Sequence, residues 1–139
     1  VRHITEILAV DSLPPSPPRP LAGSVTTVTY HSSCHLRAAG VSNEPRRVLS
    51  NLPGVRYVEM PDADRCAGGA GTFIVKNPKL SDQIAARKRR AIEATGAHVV
   101  ATSCPACMIR LRAGLPDHVR VTHVAQAADE AERGRGDRG

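Results

Sequence analysis

From Val25 onward, short β-rich runs alternate with segments whose apolar residues recur at helical spacing. Four runs read as strands: Val25-Thr26-Thr27-Val28-Thr29-Tyr30, Arg56-Tyr57-Val58-Glu59-Met60, His98-Val99-Val100-Ala101-Thr102 and Val119-Arg120-Val121-Thr122-His123-Val124. Their β-branched residues suit a pleated, half-buried surface. Between the first two, Val48, Leu49 and Leu52 mark a helix capped by Ser42 or Asn43, with Pro45 in its first turn and Pro53-Gly54 stopping it. A longer helix opens at Asn77-Pro78, carries an inward stripe of Leu80, Ile84, Ala91 and Ile92, and ends at Gly96. Cys104 to Gly114 forms a short helix with Met108, Ile109 and Leu111 available to pack, and Ala125 to Glu132 forms the last. Strand and helix in alternation predict βαβ units, hence an α/β fold with a mostly parallel four-stranded sheet and helices on both faces.

Upstream of this pattern the rhythm breaks. Ile4, Ile7 and Leu8 give Arg2 to Val10 the spacing of a short amphipathic helix, and Leu13-Pro14-Pro15-Ser16-Pro17-Pro18-Arg19-Pro20 then admits neither helix nor central strand. The expected organisation is the end of a preceding domain over 1–12, a proline-rich linker over 13–24, one domain over 25–132 and a disordered tail over 133–139. No run of about twenty apolar residues predicts a membrane span, and Val1 to Val10 lacks the layout of a signal peptide. The core is almost wholly aliphatic, since Trp is absent and Phe73, Tyr30 and Tyr57 are the aromatics. Base stacking therefore has little support, and the net charge of +6, much of it in Arg87-Lys88-Arg89-Arg90 and the C-terminal arginines, reads as a solvated helix face and tail.

The chemistry lies in the cysteines. Cys104-Pro105-Ala106-Cys107 follows the third strand at a strand-to-helix turn, and Pro105 suits the first helical position, where its missing N–H costs nothing. A helix N-terminus offers free N–H groups and positive potential, which favour thiolate. Cys34 and Cys66 also follow predicted strands. In a parallel sheet the carboxyl ends share one edge, so four thiols on loops can converge there; the alternative is that Cys34 and Cys66 are small buried residues. Four thiolates suffice for a [4Fe–4S] cluster or for zinc, and a Cys-x-x-Cys pair is also compatible with thiol–disulfide chemistry. Gly68, Gly69 and Gly71 have no side chains to keep backbone N–H groups from cluster sulfides or an anionic ligand. They match no dinucleotide fingerprint, and no P-loop lysine follows. His31 and His35 flank Cys34 as loop histidines able to serve as ligands or proton partners.

The same residues carry a family likeness. Thr29-Tyr30-His31-Ser32-Ser33-Cys34-His35-Leu36, Glu44-Pro45-Arg46-Arg47-Val48-Leu49, Leu52-Pro53-Gly54, Asp64-Arg65-Cys66-Ala67-Gly68-Gly69-Ala70-Gly71-Thr72-Phe73, Pro78-Lys79-Leu80-Ser81, Arg87-Lys88, Ala94-Thr95-Gly96-Ala97 and Cys104-Pro105-Ala106-Cys107 follow in order. Over about Val25 to Ala131 the chain resembles the cysteine-rich CCG domain of iron–sulfur electron-transfer subunits, such as those of glycolate oxidase, lactate utilisation and heterodisulfide reductase. The resemblance implies an electron-transfer subunit with an iron–sulfur cluster, [4Fe–4S] in type, on Cys34, Cys66, Cys104 and Cys107, with Gly68, Gly69 and Gly71 at the cofactor. It implies as partners a flavoprotein hydroxyacid oxidase or dehydrogenase subunit and other iron–sulfur domains of the same complex, with no nucleic acid. The expected location is the cytoplasm, any contact with the inner membrane being made through partners. Such domains commonly occur in tandem, so this copy resembles the second, Val1 to Val10 being the tail of the first. The family's paired Cys-Cys-Gly is here Cys66-Ala67-Gly68, which removes a ligand used by family members that hold a noncubane cluster; a structural zinc and assembly domain on the same cysteines is the alternative.

Overall fold

The computed structural model describes residues 2–10 and 25–136. Its four strands, β1 (Thr26–His31), β2 (Val55–Tyr57), β3 (Val99–Thr102) and β4 (Arg120–His123), form one sheet in the order β2-β1-β3-β4, and every neighbouring pair is parallel. The predicted α/β class and parallel sheet are therefore as found. β3 and β4 fall inside the runs the sequence marks; β1 takes in His31 as its last residue, and β2 keeps three residues before the chain leaves the sheet.

Alternation along the strands sends side chains to two cores. Val28 and Tyr30, in register with Val99 and Ala101, pack against Val48 and Leu49 of α3 (Glu44–Asn51) and against Val124, Ala127 and Ala128 of α7 (Val124–Gly136). Val100 and Val121 face the other way, onto Ile92 of α5 (Pro78–Glu93) and Met108 and Leu111 of α6 (Pro105–Arg112). Burying a side chain such as Val100 or Val124 contributes roughly 1.5–3 kcal/mol. The N-terminal helix α1 (Ile4–Val10) packs on α3 and α7, with Thr5 fully buried and Leu8 against the first core.

Several local expectations differ from the structure. The inward face of α5 is formed by Ser81, Lys88 and Ile92, while Leu80 is 49% exposed. Ile109 is 70% exposed on α6, since Met108 and Leu111 already fill the space beneath that helix. Lys88, read as part of a solvated basic face, is 2% exposed. The last helix runs beyond Glu132 to Gly136, into the segment expected to be a disordered tail. Two short helices, α2 (Cys34–Ala38) and α4 (Phe73–Lys76), have no counterpart in the sequence pattern. The proline-rich stretch over 13–24 and residues 137–139 lie outside the described residues.

Candidate metal centre

Strand order decides where a site can form. After β1 the chain leads to α3 on one face of the sheet, and after β3 to α6 on the other. The connections diverge between these adjacent strands, opening a crevice at their carboxyl ends, the topological switch point of an open α/β sheet. His31 and Thr102 are register partners, so β1 and β3 end level.

The cysteines reach this edge on the three connections that follow β1, β2 and β3. Ser33 caps α2, placing Cys34 as its first residue; Cys104 is the N-cap of α6, with Pro105 first in the helix and Cys107 in its first turn. A buried contact between Ser33 Oγ and Thr102 Oγ1 at 3.3 Å ties the two strand ends together. Cys66 arrives on the long connection after β2, which is pinned from both faces. Ser32 N–H donates to the Ala63 carbonyl at 3.1 Å. Arg46 of α3 reaches Glu59 at 2.9 Å and Asp64 at 3.2 Å, while Lys88 of α5 donates to the carbonyls of Asp62 at 2.5 Å and Ala63 at 3.3 Å. Asp62 itself turns through φ +56°, a left-handed conformation that Asp tolerates better than most residues.

The glycines of this connection are held by packing. A Cβ on Gly68 would lie 2.6 Å from the Ser81 carbonyl oxygen, and one on Gly69 would lie 2.9 Å from Arg110 Cβ. Gly68 also donates its N–H to Cys66 Sγ at 3.2 Å, while its carbonyl accepts from Ser81 Oγ at 2.7 Å. Gly71 has open space where a side chain would stand. Ala67, at the position of the family's second paired cysteine, is 1% exposed in the core cluster with Met60, Ile92, Val100 and Leu111.

Cys34 and Cys66 are exposed, and Cys104 and Cys107 are half-buried, so the reading of Cys34 and Cys66 as buried core residues does not hold. All four are free thiols, and the other three act on Cys107. Burial pushes the Cys107 thiol up to about 12, reinforced by a hydrogen bond and repulsion from Cys104 and by the charges of Cys34 and Cys66. This reverses the expectation that the helix N-terminus favours thiolate there, because burial and three neighbouring sulfurs outweigh the helix dipole. Among the described residues no three His, Cys, Asp or Glu side chains already stand as a metal-holding group. The thiols share an edge without closing around a point. The donor set nevertheless fits a thiophilic group: four sulfurs from three connections, whose accumulated negative charge a metal would neutralise.

His31 is not a loop residue. It ends β1, is 1% exposed, and leaves Nδ1 without a protein partner. Burial, with Lys88 and Arg37 nearby, lowers its pKa to about 3. His35 is exposed on α2. Lys88 is the residue at this edge that sequence reasoning missed. It stands four residues after Ile84 and four before Ile92, a spacing that places it on the inward face.

Comparison with known proteins follows the same residues. The family model described as a cysteine-rich domain, CCG, matches residues 28–112. Lactate utilization protein A of Lysinibacillus sphaericus is 38% identical over 104 residues, covering 70% of this chain and 45% of that protein. The "Probable glycolate oxidase iron-sulfur subunit" of Bacillus subtilis is 37% identical over 110 residues, covering 75% of this chain and 25% of that protein. A subunit of the dihydromethanophenazine:CoB--CoM heterodisulfide reductase of Methanosarcina mazei is 38% identical over 104 residues, covering 72% of this chain and 25% of that protein. The chain thus spans less than half the length of each of these relatives. Among the described residues, no helix is long and apolar enough to cross a membrane.

Proposed function

Because the chain belongs to the CCG cysteine-rich domain family, we propose that it is the electron-transfer domain of an oxidoreductase complex, with Cys34, Cys66, Cys104 and Cys107 holding an iron–sulfur cluster. The observation that carries this reading is the delivery of four free thiols from three connections to the switch-point edge, where all three other sulfurs act on Cys107. A [4Fe–4S] cluster, when bound, supplies reversible one-electron transfer.

The chain's own residues do the rest. Gly68 N–H donates to Cys66 Sγ, and such donors stabilise negative charge on sulfur. Arg46, Lys88 and Ser81 hold the Cys66 connection against both helical layers. The exposure of Cys34 and Cys66 leaves the edge open to a redox partner. The relatives are named for lactate utilization, glycolate oxidase and heterodisulfide reductase, the last two as subunits, which supports partner subunits in one complex. Of these we favour a flavoprotein 2-hydroxyacid oxidase as electron donor, with further iron–sulfur domains as acceptors.

The test is iron, acid-labile sulfide and zinc content of anaerobically reconstituted protein, together with its visible and EPR spectra. Iron and sulfide in equal amounts, lost in Cys104→Ala, are expected. Zinc without iron or sulfide would replace this reading with the structural assembly domain.

A further inference from the structure

Lys88 presents an unusual balance of charge. It lies in mid-helix between exposed Arg87 and Arg89, yet it is 2% exposed. Burying an ammonium costs several kcal/mol unless an opposite charge meets it. Two of its three N–H groups are used by the carbonyls of Asp62 and Ala63, which satisfies hydrogen bonding and leaves the net charge. Among the described residues no carboxylate pairs with it: Asp62 is engaged by Arg65 at 3.3 Å and Arg87 at 3.0 Å, and Asp64 by Arg46 at 3.2 Å. Burial lowers its pKa to about 8, against Asp62, Asp64 and Cys66, which favour its cationic form, and with Arg37, which opposes it, so the ammonium persists at neutral pH. Buried His31 beside it is neutral. One edge thus holds a buried cation with no paired carboxylate and, on the connection it grips, the sulfur of Cys66, whose negative charge favours that cation.

We infer that Lys88 is a positioning residue of the cysteine site: its ammonium fixes the connection to Cys66 through the Asp62 and Ala63 carbonyls, and its buried charge is the standing counter-charge to the Cys66 thiolate when that sulfur serves as a ligand. The inference rests on the reading that these cysteines hold a cluster. A cation fixed beside the thiolates favours the reduced, more negative state of the group they hold, so Lys88 raises its reduction potential. It also explains why this helix position is buried although its flanking residues are basic and exposed.

The experiment is a potentiometric EPR titration of the reconstituted full chain as wild type, Lys88→Arg and Lys88→Gln, with thermal melting of each metal-free protein alongside. Lys88→Gln keeps an N–H donor and removes the charge. It is expected to weaken reduction at least tenfold, a shift of about 59 mV to more negative potential for one electron, while Lys88→Arg stays within threefold of wild type. A Lys88→Gln potential equal to wild type, with the cluster present in both, overturns the inference and leaves the electron-transfer reading standing. A wild type that takes up no iron or sulfide overturns both. If Lys88→Gln fails to fold, acetylation of wild-type lysines by acetic anhydride, read by peptide mass spectrometry, decides the matter. Lys88 should react at least fivefold more slowly in the loaded than in the metal-free protein, with Lys76 and Lys79 unchanged; equal rates at Lys88 overturn the inference.

Discussion

Gly68→Ala tests whether the Cys66 connection is seated on α5 as the packing indicates. The backbone at Gly68 has φ +83°, where a Cβ costs about 1–2 kcal/mol. Unlike a strained residue in open space, the new methyl would also meet the Ser81 carbonyl oxygen at 2.6 Å, a main-chain atom locked in α5. Relieving that contact must lift the connection, straining the buried Ser81 Oγ to Gly68 carbonyl hydrogen bond of 2.7 Å. Such a bond is worth about 1 kcal/mol and overpacking adds about 1–3 kcal/mol, so the full cost is about 4 kcal/mol, or about 12 °C in Tm. Gly40→Ala is the matched control: Gly40 has φ +78° and nothing within 4 Å of its added Cβ, so it should lose only the strain of about 1–2 kcal/mol. The assay is urea and thermal unfolding of both metal-free variants by circular dichroism. Equal losses in the two variants, or a Gly68→Ala protein within about 1 kcal/mol of wild type on the scale of ordinary surface changes, would refute the reasoning.

Three further outcomes follow from the same geometry. His31 is neutral in the folded chain, with its pKa lowered from 6.5 to about 3, whereas the unfolded chain binds a proton below 6.5. Its contribution to stability is thus complete above pH 6.5 and is lost at about 1.4 kcal/mol per unit as pH falls toward 3, a slope that urea unfolding should show in wild type and not in His31→Asn. Iodoacetamide at pH 8 should label exposed Cys34 long before Cys107 in metal-free protein, and the Cys107 rate should rise about tenfold per pH unit up to its pKa of about 12; comparable rates at pH 8 would contradict the charge coupling. Ala67→Cys should leave the iron-to-sulfide ratio and EPR spectrum of reconstituted protein unchanged, because position 67 packs in the core with Ile92, Val100 and Leu111. A new spectrum would mean that the connection rearranges on loading.

The sequence by itself determined the alternation of elements, the parallel sheet and the cysteines that come to its carboxyl edge. Period-two and helical patterns are local properties, and the position of each cysteine just past a β-rich run is enough to place it at the carboxyl edge. Helix starts followed the same logic, since Asn43 stands before α3 and Pro105 opens α6, although neither N-cap side chain bonds the helix. Short helices were beyond this reach: the five residues of α2 and the four of α4 hold too few turns to show a period.

Only the tertiary structure decided that Leu80 of α5 stays outside while Lys88 is buried. Leu80, Ile84 and Ile92 are apolar, but the close approach of Gly68 to Ser81 and of Asp62 to Lys88 sets the phase of the helix, leaving Leu80 outside and a lysine within. The charge state of Cys107 was equally hidden, because it depends first on burial, then on neighbouring Cys104 and on sulfurs 41 to 73 positions earlier in the chain. Strand order is the physical reason these long-range facts coincide: pairing β1 directly with β3 levels their carboxyl ends and folds the Cys66 connection between them. A local pattern names the cysteines, but only the three-dimensional arrangement fixes the field in which they stand.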